Sequence, residues 1–220
     1  MNIALIFAGG VGTRFGASIP KQFLEIKNVP ILIYTLYQFE SVEEIDKIVV
    51  VCKSDWIDYL KEQLVKFNIT KVDMILEGQQ TAFDSIFEGV KYIHKTFNEE
   101  TFILVHDGVR PLISKESIIN NIDVAKKHGN CICYSKAIET VYCDEILDRS
   151  KCKLLRAPQT FVSKDLYNAF LKAKQLDMSF IDCASMMIFF NTQLFFSECN
   201  SNNIKVTTDI DYKICKLYLE

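Results

Sequence analysis

Apolar and polar positions along this chain follow two periods. Short, nearly continuous apolar runs recur at residues 3–7 (IALIF), 47–52 (KIVVVC), 72–76, 101–106 (TFILVH) and 130–134. Runs of this length, rich in Val and Ile, predict strands buried on both faces. Between them, apolar residues recur every three or four positions. Residues 31–39 read this way, as do 55–67 (Ile57, Leu60, Leu64, Phe67), 81–95 (Ile86, Val90, Ile93) and 115–128. That spacing predicts helices. Pro30 opens the first of them, where a missing N–H costs nothing, and Gly129 closes the last. Strands and helices therefore alternate from residue 3 to about 134. This predicts an α/β fold: a mostly parallel sheet with helices on both faces. Ligands of such sheets bind beyond the carboxyl ends of strands. The loop after the first strand and His106-Asp107-Gly108 after the fourth are expected on one rim.

The pattern changes between residues 136 and 156. Short runs at 138–143 and 153–155 alternate with charged residues, and no helix-length stripe appears. This predicts a protruding β-arm, with too little core of its own unless it packs on a partner chain. Helices resume at 164–176, with Ser163 as N-cap, and at 183–190. A short strand at 195–198 and an amphipathic helix at 209–219 follow. With no internal repeat, low-complexity tract or linker, the reading is a single domain, 1–220, carrying an arm.

Composition narrows the function. A chain of 220 residues with 49% hydrophobic content is long enough for one large core. A formal net charge of −3 argues against a nucleic-acid binder. The eight cysteines include no CxxC pair, and the opening reads as a strand, not a secretory signal. They are expected to be reduced thiols in a cytoplasmic protein. Three widely spaced histidines do not suggest a zinc site. No apolar run reaches the roughly 18 residues of a membrane span.

Positive charge is instead gathered locally. The first apolar run ends in Ala8, then Gly9, Gly10 and Gly12, then Arg14, then Pro20-Lys21-Gln22. Glycines let backbone N–H groups approach and face an anion, and Arg14 and Lys21 add two cations. A polyanionic ligand is expected there. The dinucleotide fingerprint GxGxxG fails because position 15 is Phe15, and no GxxxxGK[ST] is present.

Five motifs in order carry a resemblance: AGGVGTRFG, PKQ, HDGVRP (106–111), APQTF (157–161) and NIKVT (203–207). Together they resemble the methylerythritol-phosphate and ribitol-phosphate cytidylyltransferases, over nearly the whole chain. The resemblance implies a Rossmann-like fold and a homodimer. It implies transfer of a cytidylyl group from CTP to a sugar-alcohol phosphate, with a divalent cation such as Mg²⁺. In that chemistry the acceptor's phosphate attacks the α-phosphorus and pyrophosphate leaves. Both reactants are anions, so the protein must position them and neutralise charge.

The matching positions imply roles. Arg14, Lys21 and Lys205 would be the catalytic cations. Ala8, Gly9, Gly10, Gly12, Gly78 and Ser85 would bind the nucleotide, although Ser85 also suits a helix cap. Asp107, at a strand end, would hold the metal. Thr140 and Arg149, from the arm of a neighbouring subunit, and Arg110 would contact the acceptor phosphate. For Arg110 a positioning role is expected, through a salt bridge or a substrate contact. Arg156 and Asp182 lie near family motifs without an assigned role.

The chain departs from the family at Ala82, where the ribose segment usually has arginine, and at Ile138 and Cys183, where the isoprenoid branch has arginine and glutamate. The AIET of the arm and the double glycine of AGG lean toward the ribitol-phosphate branch. The expected activity is therefore joining CTP to a polyol phosphate such as ribitol 5-phosphate, for cell-wall or capsule polymers. The alternatives are the methylerythritol 4-phosphate enzyme of isoprenoid synthesis and a non-catalytic nucleotide-binding homologue.

Overall fold

The first strand, β1 (Asn2–Ala8), sorts its side chains by parity. Ala4, Ile6 and Ala8 enter one apolar cluster, and Ile3 and Leu5 enter another. A strand buried on both faces must sit inside a sheet with cover on each side. The structure, a computed structural model, describes residues 1–9 and 19–219.

After a small ribbon of β2 (Glu25–Ile26) and β3 (Val29–Pro30), helix α1 (Ile31–Glu40) leads to β4 (Lys47–Cys52). Then come α2 (Ile57–Lys66), β5 (Val72–Glu77), α3 (Ala82–Thr96), β6 (Phe102–Asp107), α4 (Lys115–His128) and β7 (Asn130–Lys136). The chain continues through β8 (Val141–Cys143), β9 (Glu145–Leu147), β10 (Lys153–Val162), α5 (Ser163–Gln175) and α6 (Cys183–Phe189). It closes with β11 (Phe196–Glu198) and α7 (Asp209–Leu219).

Seven strands form one sheet in the order β11-β7-β10-β6-β1-β4-β5. All neighbours are parallel except β10, which runs antiparallel to both β6 and β7. Residues of α1, α2 and α4 cover one face, and those of α3, α5 and α6 cover the other. Val109, Val206 and Cys215 of α7 form a smaller third cluster beside Ile26 and Ile31.

One glycine shows how closely α3 lies on the sheet: a Cβ at Gly89 would stand 2.4 Å from a methyl of Leu5. Asn121 of α4, fully buried, donates to Ser197 of β11 and to the Cys131 carbonyl of β7, and accepts from Thr160 of β10. One amide thus fastens three strands to a helix.

Two expectations change here. The segment 136–156 is not one arm. Lys136 ends β7, and Lys153–Leu155 pair with Lys136, Ser135 and Tyr134 in the main sheet. What protrudes is the hairpin of β8 and β9, turning at Asp144 in left-handed conformation (φ 58°). The exposed start of β10, residues 153–155, is too short a run to reveal its pairing with the end of β7. Ser163 is the first helical residue of α5, not its cap. Its N–H bonds the Thr101 carbonyl at 2.7 Å and its hydroxyl meets His94 Nδ1 at 3.2 Å.

Candidate active site

The parallel register brings the ends of β1 and β6 together. Phe7 pairs with Asp107, and the Gly108 N–H bonds the Phe7 carbonyl at 2.8 Å. A Cβ on Gly108 would lie 2.8 Å from a Leu32 methyl and 3.1 Å from the Phe7 carbonyl oxygen. Glycine is what lets the two strand ends close up.

The rim beside them is anchored from Pro20-Lys21-Gln22. Gln22 is 1% exposed, and its Nε2 donates to the Ala8 carbonyl at 2.6 Å. Phe23 stacks on Trp56 with ring centroids 4.5 Å apart. Lys21 opens this single turn (Lys21–Phe23) and is therefore held beside the end of β1. Gln22 was part of the motif but had no role in the sequence reading; its buried amide ties the loop to the sheet.

Asp107 is the electrostatic centre. Its side chain is 19% exposed; Oδ2 accepts from Arg110 Nε at 2.7 Å and Oδ1 from Lys205 Nζ at 2.6 Å. Burial alone would raise the Asp107 carboxyl, but the two cations outweigh it and hold it well below the usual carboxylate range. Arg110 Nη1 donates to the Asn203 carbonyl at 2.9 Å, and Arg156 Nη1 reaches the same oxygen at 2.5 Å. Asn203 is fully buried and its Nδ2 donates to the Ala157 carbonyl at 2.7 Å. The NIKVT segment is thus pinned to β10, and Lys205, 98 residues from Asp107 in the chain, arrives at the β6 rim. Arg110 makes the salt bridge that the sequence left open and also lines the cavity, so substrate contact stays available to it. His106, buried behind this cluster with its ring against Phe39, is pushed down to about 3 by burial and by Arg110.

Two adjoining recesses open here. One, of about 210 Å³, is lined by Asp107, Arg110, Lys205, Arg156, Gln159 and Asp182, among others. The other, of about 430 Å³, is lined by Gly9, Lys53, Gly78, Gln79, Thr81 and Ser85, among others. Phe7 and Ala82 line both, so the recesses adjoin, and together they are termed the cleft.

Gly78 continues the β5 end, its N–H on the Cys52 carbonyl at 2.7 Å. Ser85 is not the cap of α3; Thr81 is, its hydroxyl accepting from the Asp84 N–H. The Ser85 hydroxyl accepts from the Gln79 N–H at 2.8 Å and donates to the Thr81 carbonyl at 2.7 Å, which fixes the loop around the recess. Lys53, not singled out from sequence, brings a cation to the recess where position 82 has only alanine. Thr140 and Arg149 are exposed and do not line the cleft; Arg149 Nη1 bonds the Ile138 carbonyl at 2.8 Å. Gly10, Gly12 and Arg14 lie outside the described residues.

Gly9 at the end of β1, a pinned carboxylate and converging cations thus surround the two recesses. The family model for 2-C-methyl-D-erythritol 4-phosphate cytidylyltransferase (IspD) matches residues 2–220. The chain belongs to the IspD family. It is 43% identical to a ribitol-5-phosphate cytidylyltransferase of Vibrio parahaemolyticus, covering 100% of this chain and 96% of that one. It is 32% identical to a 2-C-methyl-D-erythritol 4-phosphate cytidylyltransferase of Clostridium novyi, covering 100% and 96%. Among solved structures, the 4-diphosphocytidyl-2C-methyl-D-erythritol synthase of Anaerococcus prevotii superposes with a TM-score of 0.85 at 28% identity, over 99% of this chain and 95% of that one. The α/β, Rossmann-like sheet is that of the IspD family, and the chain is a cytidylyltransferase, a nucleotidyltransferase enzyme. No helix among the described residues is long and apolar enough to cross a membrane.

Proposed function

We propose that this enzyme joins CTP to ribitol 5-phosphate, giving CDP-ribitol and pyrophosphate. The observation that carries the reading is the convergence of Arg110 and Lys205 on Asp107, beside the recess between Gly9 and Gly78. The choice of ribitol 5-phosphate rests on the Vibrio relative and on the AIET and AGG sequences.

A phosphate monoester has a second pKa of about 6, so the attacking oxygen is already ionised at neutral pH. No general base is needed; the barrier is repulsion between two anions. Arg110 and Lys205 line the cavity as cationic donors whose bonds would strengthen as charge builds on the α-phosphoryl oxygens. Arg14 and Lys21 would hold the triphosphate from the other side. Ala8, Gly9, Gly10, Gly12 and the Gly78–Ser85 loop would seat the nucleotide, with Lys53 supplying charge beside Ala82.

Among the described residues no three His, Cys, Asp or Glu side chains are grouped to hold a metal ion alone. Mg²⁺ does not need such a cage, because one carboxylate with substrate phosphates and water suffices. Asp107 fits that part: each of its oxygens accepts one hydrogen bond from a cation and keeps acceptor capacity. A bound Mg²⁺ would neutralise triphosphate charge.

The exposed hairpin, with Ile138, Tyr142 and Ile146 each more than 70% exposed, would pair two chains into a homodimer. Thr140 and Arg149 would then reach the partner's acceptor phosphate, where a guanidinium can grip with two parallel bonds. All eight cysteines are free, which suits a reducing cytoplasm. The product would feed a polyol-phosphate polymer of the cell wall or capsule.

The test is pyrophosphate release with CTP, Mg²⁺ and either ribitol 5-phosphate or methylerythritol 4-phosphate. Turnover of ribitol 5-phosphate with little of the other is expected; turnover of methylerythritol 4-phosphate alone would overturn the assignment. CTP binding without product from any phosphate acceptor would favour a non-catalytic homologue.

A further inference from the structure

The Asp107 cluster accounts for phosphate but not for the hydroxyl-bearing remainder of an acceptor. Two charged residues on the same cavity wall are not used by the phosphate chemistry: Arg156 and Asp182.

Arg156 stands in β10, partly buried. Its Nε donates to Ser135 Oγ at 2.9 Å and its Nη1 to the Asn203 carbonyl at 2.5 Å. These two bonds fix the plane of the guanidinium, and Nη2 bonds no other described residue. Asp182 is the N-cap of α6: Oδ1 accepts from the Ser185 N–H at 2.8 Å. Capping explains only that oxygen. Oδ2 accepts from Gln159 Nε2 at 3.2 Å, and the buried Gln159 is held in turn by the Ala184 N–H on its Oε1 at 2.9 Å. The carboxylate is therefore fixed from two sides and keeps unused lone pairs.

Arg156 adjoins Arg110, both donating to the Asn203 carbonyl, while Asp182 brings a carboxylate to the same cavity. A phosphate offers only acceptors, so a fixed carboxylate on the wall repels it. Arg110 and Lys205 mark the phosphate end. A hydroxyl both donates and accepts, and a guanidinium and a carboxylate lining one cavity offer it both partners. Leu155, Ile86 and Ile181 supply carbon surface on the same wall, suited to the CH groups of a polyol.

We propose that Arg156 and Asp182 form the hydroxyl-reading end of the acceptor site. Arg156 donates from Nη2 to a polyol oxygen, and Asp182 accepts from polyol O–H groups. This deepens, and rests on, the polyol-phosphate reading above.

The test compares ribitol 5-phosphate with n-pentyl phosphate, which has the same chain length and phosphate but no free hydroxyls. Steady-state kinetics at saturating CTP are measured for the wild type, Arg156→Gln and Asp182→Asn. The wild type should strongly prefer ribitol 5-phosphate, because polar groups that a bound deoxy analogue covers and leaves unpaired reject it. Each variant should raise KM for ribitol 5-phosphate roughly tenfold or more, the worth of one charge-assisted hydrogen bond. KM for CTP and for n-pentyl phosphate should stay within about twofold, so the preference narrows by the same factor.

If Arg156→Gln fails to fold, Asp182→Asn carries the comparison, since asparagine still caps α6. An unchanged preference in the variants, or equal losses with both acceptors, would overturn the proposal. A wild type that turns over no polyol phosphate would instead overturn the underlying assignment.

Discussion

At the scale of single residues, Asp107 gathers two cations, Arg110 and Lys205, that the chain order keeps far apart. Lys205 is 43% exposed at its side chain yet ion-paired, so it can move from Asp107 to a phosphate without crossing the protein. Lys205→Ala and Lys21→Ala should each lower kcat by roughly 10²–10³, the usual effect of removing one charge-stabilising donor, with an unchanged far-UV circular dichroism spectrum. Near-normal turnover would remove that lysine from the mechanism. His106 makes a separate prediction. Its folded pKa of about 3 lies below the ordinary 6.5, so below pH 6.5 the unfolded chain takes up a proton that the folded chain refuses. The stability present above pH 6.5 should fall as pH drops toward 3. Asp107, also depressed, adds loss of the same sign below its ordinary 3.8. Urea unfolding between pH 7.5 and 4 should show the decline, and His106→Gln should flatten it. An equal slope in the variant would deny His106 the role.

At the scale of elements, apolar periodicity made the parallel core legible and left β10 concealed. Buried runs such as KIVVVC have no reading except an interior strand. β10 (Lys153–Val162) begins with exposed Lys153, Leu154 and Leu155, contains Pro158, and shifts register between Leu155 and Gln159. Its polar residues face sheet neighbours and the cavity, so no period of two survives in the sequence. The same concealment hid the parts of the site that act through backbone carbonyls. Asn203 accepts from both arginines at its carbonyl, and the Gln22 side chain donates to the Ala8 carbonyl, hydrogen bonds that no spacing rule announces. Asn121 is the element-scale test. Asn121→Ala strips bonds from β7, β10 and β11 together and leaves the buried Thr160 hydroxyl without its acceptor. A loss of about 2–4 kcal/mol in unfolding free energy is expected, that of a broken buried network. A change under about 0.5 kcal/mol would show that the network is dispensable.

At the scale of the whole molecule, the described chain carries the Asp107 cluster but leaves Thr140 and Arg149 exposed, flanking the hairpin and outside the cleft. A second copy is the economical way to bring them to a cleft. Light scattering after gel filtration should report a dimer, and Ile146→Asp should give a folded monomer with weakened acceptor use. A wild-type monomer with full activity would remove the hairpin from the site. Arg149→Ala should raise KM for the polyol phosphate by tenfold or more, as loss of a charged hydrogen bond predicts, while barely moving that for CTP. Equal effects on both substrates would contradict the acceptor role. In the proposed reading a dimer, its hairpin and the cleft would serve one electrostatic task, the meeting of two anions. The most direct measurement is a crystal structure of the wild-type enzyme with Mg²⁺ and a non-hydrolysable CTP analogue. The triphosphate should lie in the cleft of Gly9 and Gly78, with Nζ of Lys21 and of Lys205 both about 3 Å from phosphate oxygens. A nucleotide bound elsewhere, or Lys205 still paired only with Asp107 and remote from every phosphate, would contradict the account.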